Sequence, residues 1–143
     1  MITATKLPFA VHAVVETVAA LSFIFRPDAQ LPGCSPAAKL ILRQYGGLLL
    51  ASSFMCAAVL LITDNDAVTG TAATTMQLQA LALGTYHVWP CYRAWVRIGS
   101  RERGRGATTL GGPSLHLVVH LVCFGLFMFS AAASPPSSSS IGR

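Results

Sequence analysis

Apolar residues in this chain come in four long runs, separated by short segments where charge, proline and glycine collect. About 20 apolar residues cover the roughly 30 Å of bilayer hydrocarbon at 1.5 Å rise per residue, and four segments meet that template: 7–25, 40–63, 71–96 and 114–133. The first stops at Arg26-Pro27-Asp28, where charge and a missing amide donor both end a helix. The second stops at Asp64-Asn65-Asp66. The third is the most dilute, carrying Thr71, Thr74, Thr75, Gln77 and Gln79, and taken alone it would also suit an amphipathic helix; its apolar neighbours favour a span. The fourth gives way to Ser134-Pro135-Pro136 and a serine run with nothing to bury, so 134–143 is expected to be a disordered tail. A membrane β-barrel is excluded because its strands would alternate apolar and polar residues, and these runs do not. The expected fold is all-α: a transmembrane four-helix bundle with antiparallel up-down topology.

Composition agrees. Of 143 residues, 53% are hydrophobic and only 10% charged, against about 25% charged in a soluble domain. The net charge of +5 does not point to nucleic acid, because the basic residues concentrate beside apolar runs, where a membrane surface accounts for them. The cysteines Cys34, Cys56, Cys91 and Cys123 are too scattered for a disulfide framework or a zinc ribbon. Lys6 before an apolar run has the look of a signal peptide, but His12 and Glu16 interrupt it, and retention is expected.

Counting lysine and arginine orients the spans. Arg26, Lys39, Arg43, Arg93, Arg97, Arg101, Arg103 and Arg105 fall on the side of loops one and three; only Lys6 and Arg143 fall on the other. The positive-inside rule then places loops one and three in the cytosol and both termini in a lumen or outside, in the endoplasmic reticulum or another endomembrane. The basic loops could also touch anionic headgroups.

Ionisable groups inside apolar spans cost about 2.5–3.5 kcal/mol each at the centre, so each needs a partner or a purpose. Here they align. Gln77, Ala80, Gly84, His87 and Cys91 recur at helical spacing on the third span; His116, His120 and Cys123 share a face of the fourth, and His12 and Glu16 a face of the first. Gln44, Gly47, Ala51 and Ala58 offer a small-residue seam on the second. Glu16 lies near the midplane, roughly 7 Å in height from His120. His87, His116, His120 and Arg43 should gather in the cytosolic half, where Pro90 loosens the third helix. The aromatic and basic run Tyr86, Trp89, Tyr92, Arg93, Trp95 and Arg97 suits an interfacial belt. His116 and His120, with Glu16 as a third ligand, could hold a metal, but no second acidic ligand is evident and no metal is assigned.

The stretch Tyr86-His87-x-x-Pro90-x-x-Arg93-x-x-x-Arg97, with Arg26-Pro27, Arg43-x-Tyr45-Gly46-Gly47 and Gly111-Gly112-Pro113, resembles a group of small uncharacterised fungal integral membrane proteins, over the chain to about Ala133. In size and four-span hydropathy the chain is also distantly similar to DoxX-like membrane proteins. The resemblance supplies no catalytic residue; it implies a role on a lipophilic metabolite.

Three readings remain open. The first is a polar pocket in the cytosolic half, with Arg43, Tyr86, His87, Arg93 and His116 as ligand-binding residues for a lipophilic small molecule, in a membrane protein or accessory subunit. The second is an isomerase-, cyclase- or oxygenase-type membrane enzyme with Glu16 and His120 as catalytic residues. The third is an assembly role in which the polar residues fix helix register. Lipid is the expected partner, with a homo- or hetero-oligomer compatible, a dimer through Gly47 and Ala51 included. No cofactor is named by any motif.

Overall fold

The computed structural model describes residues 3–61, 70–99 and 112–133, and among these the regular structure is entirely helical. The chain forms α1 (Leu7–Phe25), a single turn α2 (Pro27–Gln30), α3 (Pro36–Leu61), α4 (Gly70–Gly99) and α5 (Gly112–Ala133). The aspartates expected to end the second span, the arginines at 101, 103 and 105, and the 134–143 tail lie outside the described residues.

Helices α1, α3 and α5 are each long and apolar enough to cross a membrane, the make-up of a membrane protein. Helix α4 has the length, 30 residues or about 45 Å, but not the mean apolarity. Its glutamines, threonines and His87 lower the average, and Arg93 and Arg97 follow.

Helix starts explain where the observed boundaries depart from the apolar runs. Helix α3 begins four residues ahead of the expected 40 because Ser35 caps it: Ser35 Oγ accepts from the Ala38 amide at 3.2 Å, and Pro36 takes the first position, which needs no amide donor. The segment between α1 and α3 is tied to both. Gln30 Nε2 donates to Ser22 Oγ at 2.6 Å, Lys39 pairs with Asp28 at 2.8 Å, and Gly33 takes a positive φ of 72°.

Helix α1 packs along α3 and α4 along α5, with a further contact between α1 and α5. Gly46 lets α1 and α3 close up, since a Cβ there would lie 2.9 Å from the Ala20 carbonyl oxygen and 3.0 Å from Phe23 Cβ. At Gly84, where α4 meets α5, a Cβ would overlap only the flexible Met128 methyl group and otherwise sit in ordinary contact with Phe127 Cβ at 3.4 Å. The small-residue seam expected along α3 is therefore on the wrong face of the helix. Gln44, Gly47, Ala51 and Ala58 are exposed, and the buried stripe is Gly46, Leu49, Ser53, Cys56 and Val59. Of two adjacent glycines, only the one facing Ala20 makes the close approach.

Two apolar clusters result. One gathers Phe9, Cys56, Val59, Met76, Ala80, Leu83, Phe127 and Ala131 from all four long helices, centred on an edge-to-face pair of Phe9 and Phe127 rings 5.3 Å apart. The other, Ala20, Phe23 and Leu49 with Tyr45 and Tyr86 against it, lies toward the far end of α1. Polar side chains occupy the level between them.

Candidate functional site

The inward stripes of α1, α4 and α5 bring His12, Glu16, His87 and His120 together. Their spacing dictates it: His12 and Glu16 stand one turn apart on the face that also carries Phe9, Ala20 and Phe23. All four are at most 4% exposed. His12 Nδ1 lies 3.1 Å from His87 Nε2, and His87 Nδ1 lies 2.7 Å from His120 Nδ1. At the other end His12 Nε2 reaches Ser52 Oγ at 3.1 Å, and Ser52 Oγ donates to the Leu49 carbonyl at 2.7 Å.

This chain has only one proton order when each imidazole is neutral. The single hydroxyl proton of Ser52 goes to the Leu49 oxygen, which can only accept, so Ser52 Oγ must accept from His12 Nε2–H. His12 Nδ1 is then bare and accepts from His87 Nε2–H; His87 Nδ1 is bare in turn and accepts from His120 Nδ1–H. His120 Nε2 is left as a free acceptor. The chain ends on a backbone carbonyl that cannot pass a proton on, so it fixes tautomers and is not a conduit through the molecule.

Glu16 belongs to a second set. Tyr45 and Tyr86 hydroxyls lie 3.1 Å apart, and Tyr86 donates to Glu16 Oε2 at 3.5 Å, the outer limit of a hydrogen bond. The other carboxylate oxygen, Oε1, sits 3.9 Å from His120 Nδ1, is buried, and has no hydrogen-bond partner. An unsatisfied buried oxygen costs on the order of 1–3 kcal/mol, more when charged.

Glu16 faces a cavity of about 940 Å³. Its wall is mainly apolar, with Val14, Val15, Val18, Phe23, Leu49, Val96, Leu115 and Val119, and its polar groups are Glu16, Tyr45, Tyr86, His116, His120, Arg93 and Arg97. Pro90 also lines it, on a helix that continues unbroken to Gly99; having no amide hydrogen, it leaves the Tyr86 carbonyl without its usual helical donor.

No family model matches this chain, and no curated protein or solved structure matches it.

The expected site residues thus separate. Glu16, Tyr86, Arg93, His116 and His120 all line the cavity. His87 does not; it is fully buried behind the wall, between His12 and His120. Arg43 stands apart, exposed, with Nε donating to the Ile24 carbonyl at 3.3 Å, where it satisfies one of the open acceptors at the end of α1. It was expected in the pocket because its height is right, but its direction around α3 is not. His116, His120 and Glu16, weighed from the sequence as able to share a metal but assigned none, are not the set whose donor atoms converge. His116 packs its ring 4.3 Å from that of His120, whereas His12, Glu16 and His87 bring their donor atoms within 4.8 Å of one another. Sequence reasoning put His12 on the inner face without giving it a place in the site, and it missed Ser52 and Tyr45 as members. Nothing in the sequence marks Ser52 over its neighbour Ser53.

Proposed function

We propose that this chain is a four-span membrane protein whose long helices form an antiparallel bundle around a pocket for a lipophilic small molecule with one polar end. The observation that carries this reading is a space of about 940 Å³ with a mainly apolar lining that includes Glu16, whose buried Oε1 lies behind the wall without a hydrogen-bond partner. Once the Glu16 carboxyl group turns toward the cavity, a donor on a bound molecule would complete that oxygen. About 300–1,000 Å³ is the usual range for small-molecule pockets, and this one falls within it.

Support for the fourth crossing comes from where the polar residues of α4 face. Gln77 and Gln79 are half-buried and His87 is fully buried, while Leu78, Leu81, Val88, Trp89 and Trp95 face outward. The outward Thr75 and Thr85 return their hydroxyls to the carbonyls of Thr71 and Leu81 at 2.9 Å, which makes them tolerable in lipid. Support for antiparallel order comes from contacts that rise on one helix and fall on its neighbour: His12 with Ser52 and Phe23 with Tyr45, then Gln77 with Ala131 and His87 with His120. In that arrangement the Arg93 and Arg97 end of the cavity lies on the cytosolic side and both termini are lumenal or extracellular.

A second reading, a membrane-embedded enzyme, is favoured by the proton order. His120 Nε2 is a bare base at the cavity wall, and Glu16 with Tyr86 offers a partner for proton return, the pair an isomerase needs.

The test is to purify the full chain from membranes, extract it with organic solvent and identify retained small molecules by mass spectrometry. Val119→Trp, which places an indole in the cavity, is expected to lower retention at least tenfold at unchanged abundance. Equal retention in the variant, or an empty wild-type protein, refutes the pocket. If the ligand is a substrate, His120→Ala should abolish its turnover while leaving it bound.

A further inference from the structure

We infer that His12, Glu16 and His87 form a site for one divalent transition-metal ion behind the cavity wall, an occupant for the orphaned Glu16 oxygen that is alternative to a donor on the proposed small molecule. Two nitrogens and one carboxylate from α1 and α4 converge there, with all donor atoms within 4.8 Å and all three side chains at most 2% exposed. Donors held 2.0–2.1 Å from a tetrahedral ion lie about 3.4 Å from each other. The 3.1 Å between His12 Nδ1 and His87 Nε2 needs to open by only a few tenths of an ångström.

Three features beyond proximity point to an ion. Glu16 Oε1 is buried with no donor, so the carboxylate that stands with the two imidazoles lacks the positive partner that a buried anion requires. His12 already presents a bare Nδ1, because Ser52, committed to the Leu49 carbonyl, holds the ring proton on Nε2. His87 has an outer partner too, His120 Nδ1 at 2.7 Å. Ligating imidazoles almost always carry such a second hydrogen bond, which sets the tautomer and the ring direction. Two histidines and one carboxylate suit Zn²⁺ or Fe²⁺ and leave coordination positions open.

Loading the site moves protons without releasing any from the imidazoles. His87 shifts its hydrogen from Nε2 to Nδ1 to free the ligating nitrogen, and then donates to His120 Nδ1. His120 in turn carries its hydrogen on Nε2. The ion therefore converts His120 from an acceptor into a donor at the cavity wall.

The experiment uses the purified full chain in detergent: elemental analysis as isolated, then chelator treatment and titration with Co²⁺, read by its visible ligand-field bands, with Zn²⁺ as competitor. The expected result is close to one equivalent per chain, at least a hundredfold weaker binding in His87→Ala, and unchanged binding in His116→Ala. Ser52→Ala removes no ligand and is expected to weaken binding about 10- to 100-fold, which keeps the test open should the histidine variant fail to fold. If wild-type protein takes up neither ion, or if the bands survive His87→Ala and vanish in His116→Ala, the site is not there.

Discussion

Around Phe9 and Phe127, side chains from all four long helices meet in one apolar cluster; toward Arg93 and Arg97 the same helices stand far enough apart to border a half-open space of about 940 Å³. Between the two lies the level of Ser52, His12, His87 and His120. Phe127 spans the boundary, edge-on to Phe9 and stacked on the His87 ring at 5.7 Å. In lipid, helices gain little from hiding apolar surface, since the tails are as apolar as leucine, and close packing has to hold them. The sealed end supplies that packing and frees the other end to remain open. Phe127→Ala should therefore have the largest effect of any single truncation discussed here. The ring removes roughly 100 Å³, and at about 24 cal/mol per Å³ the cavity alone costs about 2–3 kcal/mol. Equilibrium unfolding in mixed micelles measures it. A loss below about 1 kcal/mol would mean that the sealed end does not anchor the molecule.

The open end is not loose everywhere, because α1 and α3 remain in close contact there through Gly46. Gly46→Ala places a methyl carbon 2.9 Å from the Ala20 carbonyl and 2.8 Å from Ile24 Cγ1, and the backbone oxygen cannot move aside alone. Such overpacking costs about 1–3 kcal/mol. Gly47→Ala, where nothing lies within 4 Å, is expected to be neutral. The pair, measured by the same unfolding assay, separates the face of α3 held against α1 from the surface that faces away. Equal effects at both positions would place the α1 contact elsewhere on α3.

What the sequence made legible follows this division. Helices announce themselves through long apolar runs, and buried ionisable residues announce themselves by their cost, so the helical class and the meeting of Glu16 with His120 could be read without coordinates. Rotation about α3 could not. Its runs are apolar on every side, so periodicity does not choose between Gly46 and Gly47 or turn Arg43 toward the pocket. The hydrogen-bond order was equally hidden, since it depends on Ser52, an ordinary residue whose role comes from the Leu49 carbonyl beside it. His87 was visible as a polar intruder, but its place behind the wall depends on the partners it meets across helices, His12 on α1 and His120 on α5.

The smallest effect is expected where the two ends differ most. Val119 sits on α5 two turns before Phe127 and lines the cavity, so its methyl groups already border open space. Val119→Ala enlarges a void that exists instead of creating one, and no neighbour loses close contacts on all sides. Its cost should stay within about 0.5 kcal/mol, the range of a surface substitution, against the several-fold larger loss at Phe127 on the same helix. The comparison has a sharp failure point: if Val119→Ala destabilises the protein as much as Phe127→Ala, the space beside Glu16 is filled in the folded protein and the contrast between a closed and an open end disappears. If a retained small molecule is the filling, stripping it should bring the Val119→Ala cost back below 0.5 kcal/mol while leaving the Phe127→Ala cost unchanged.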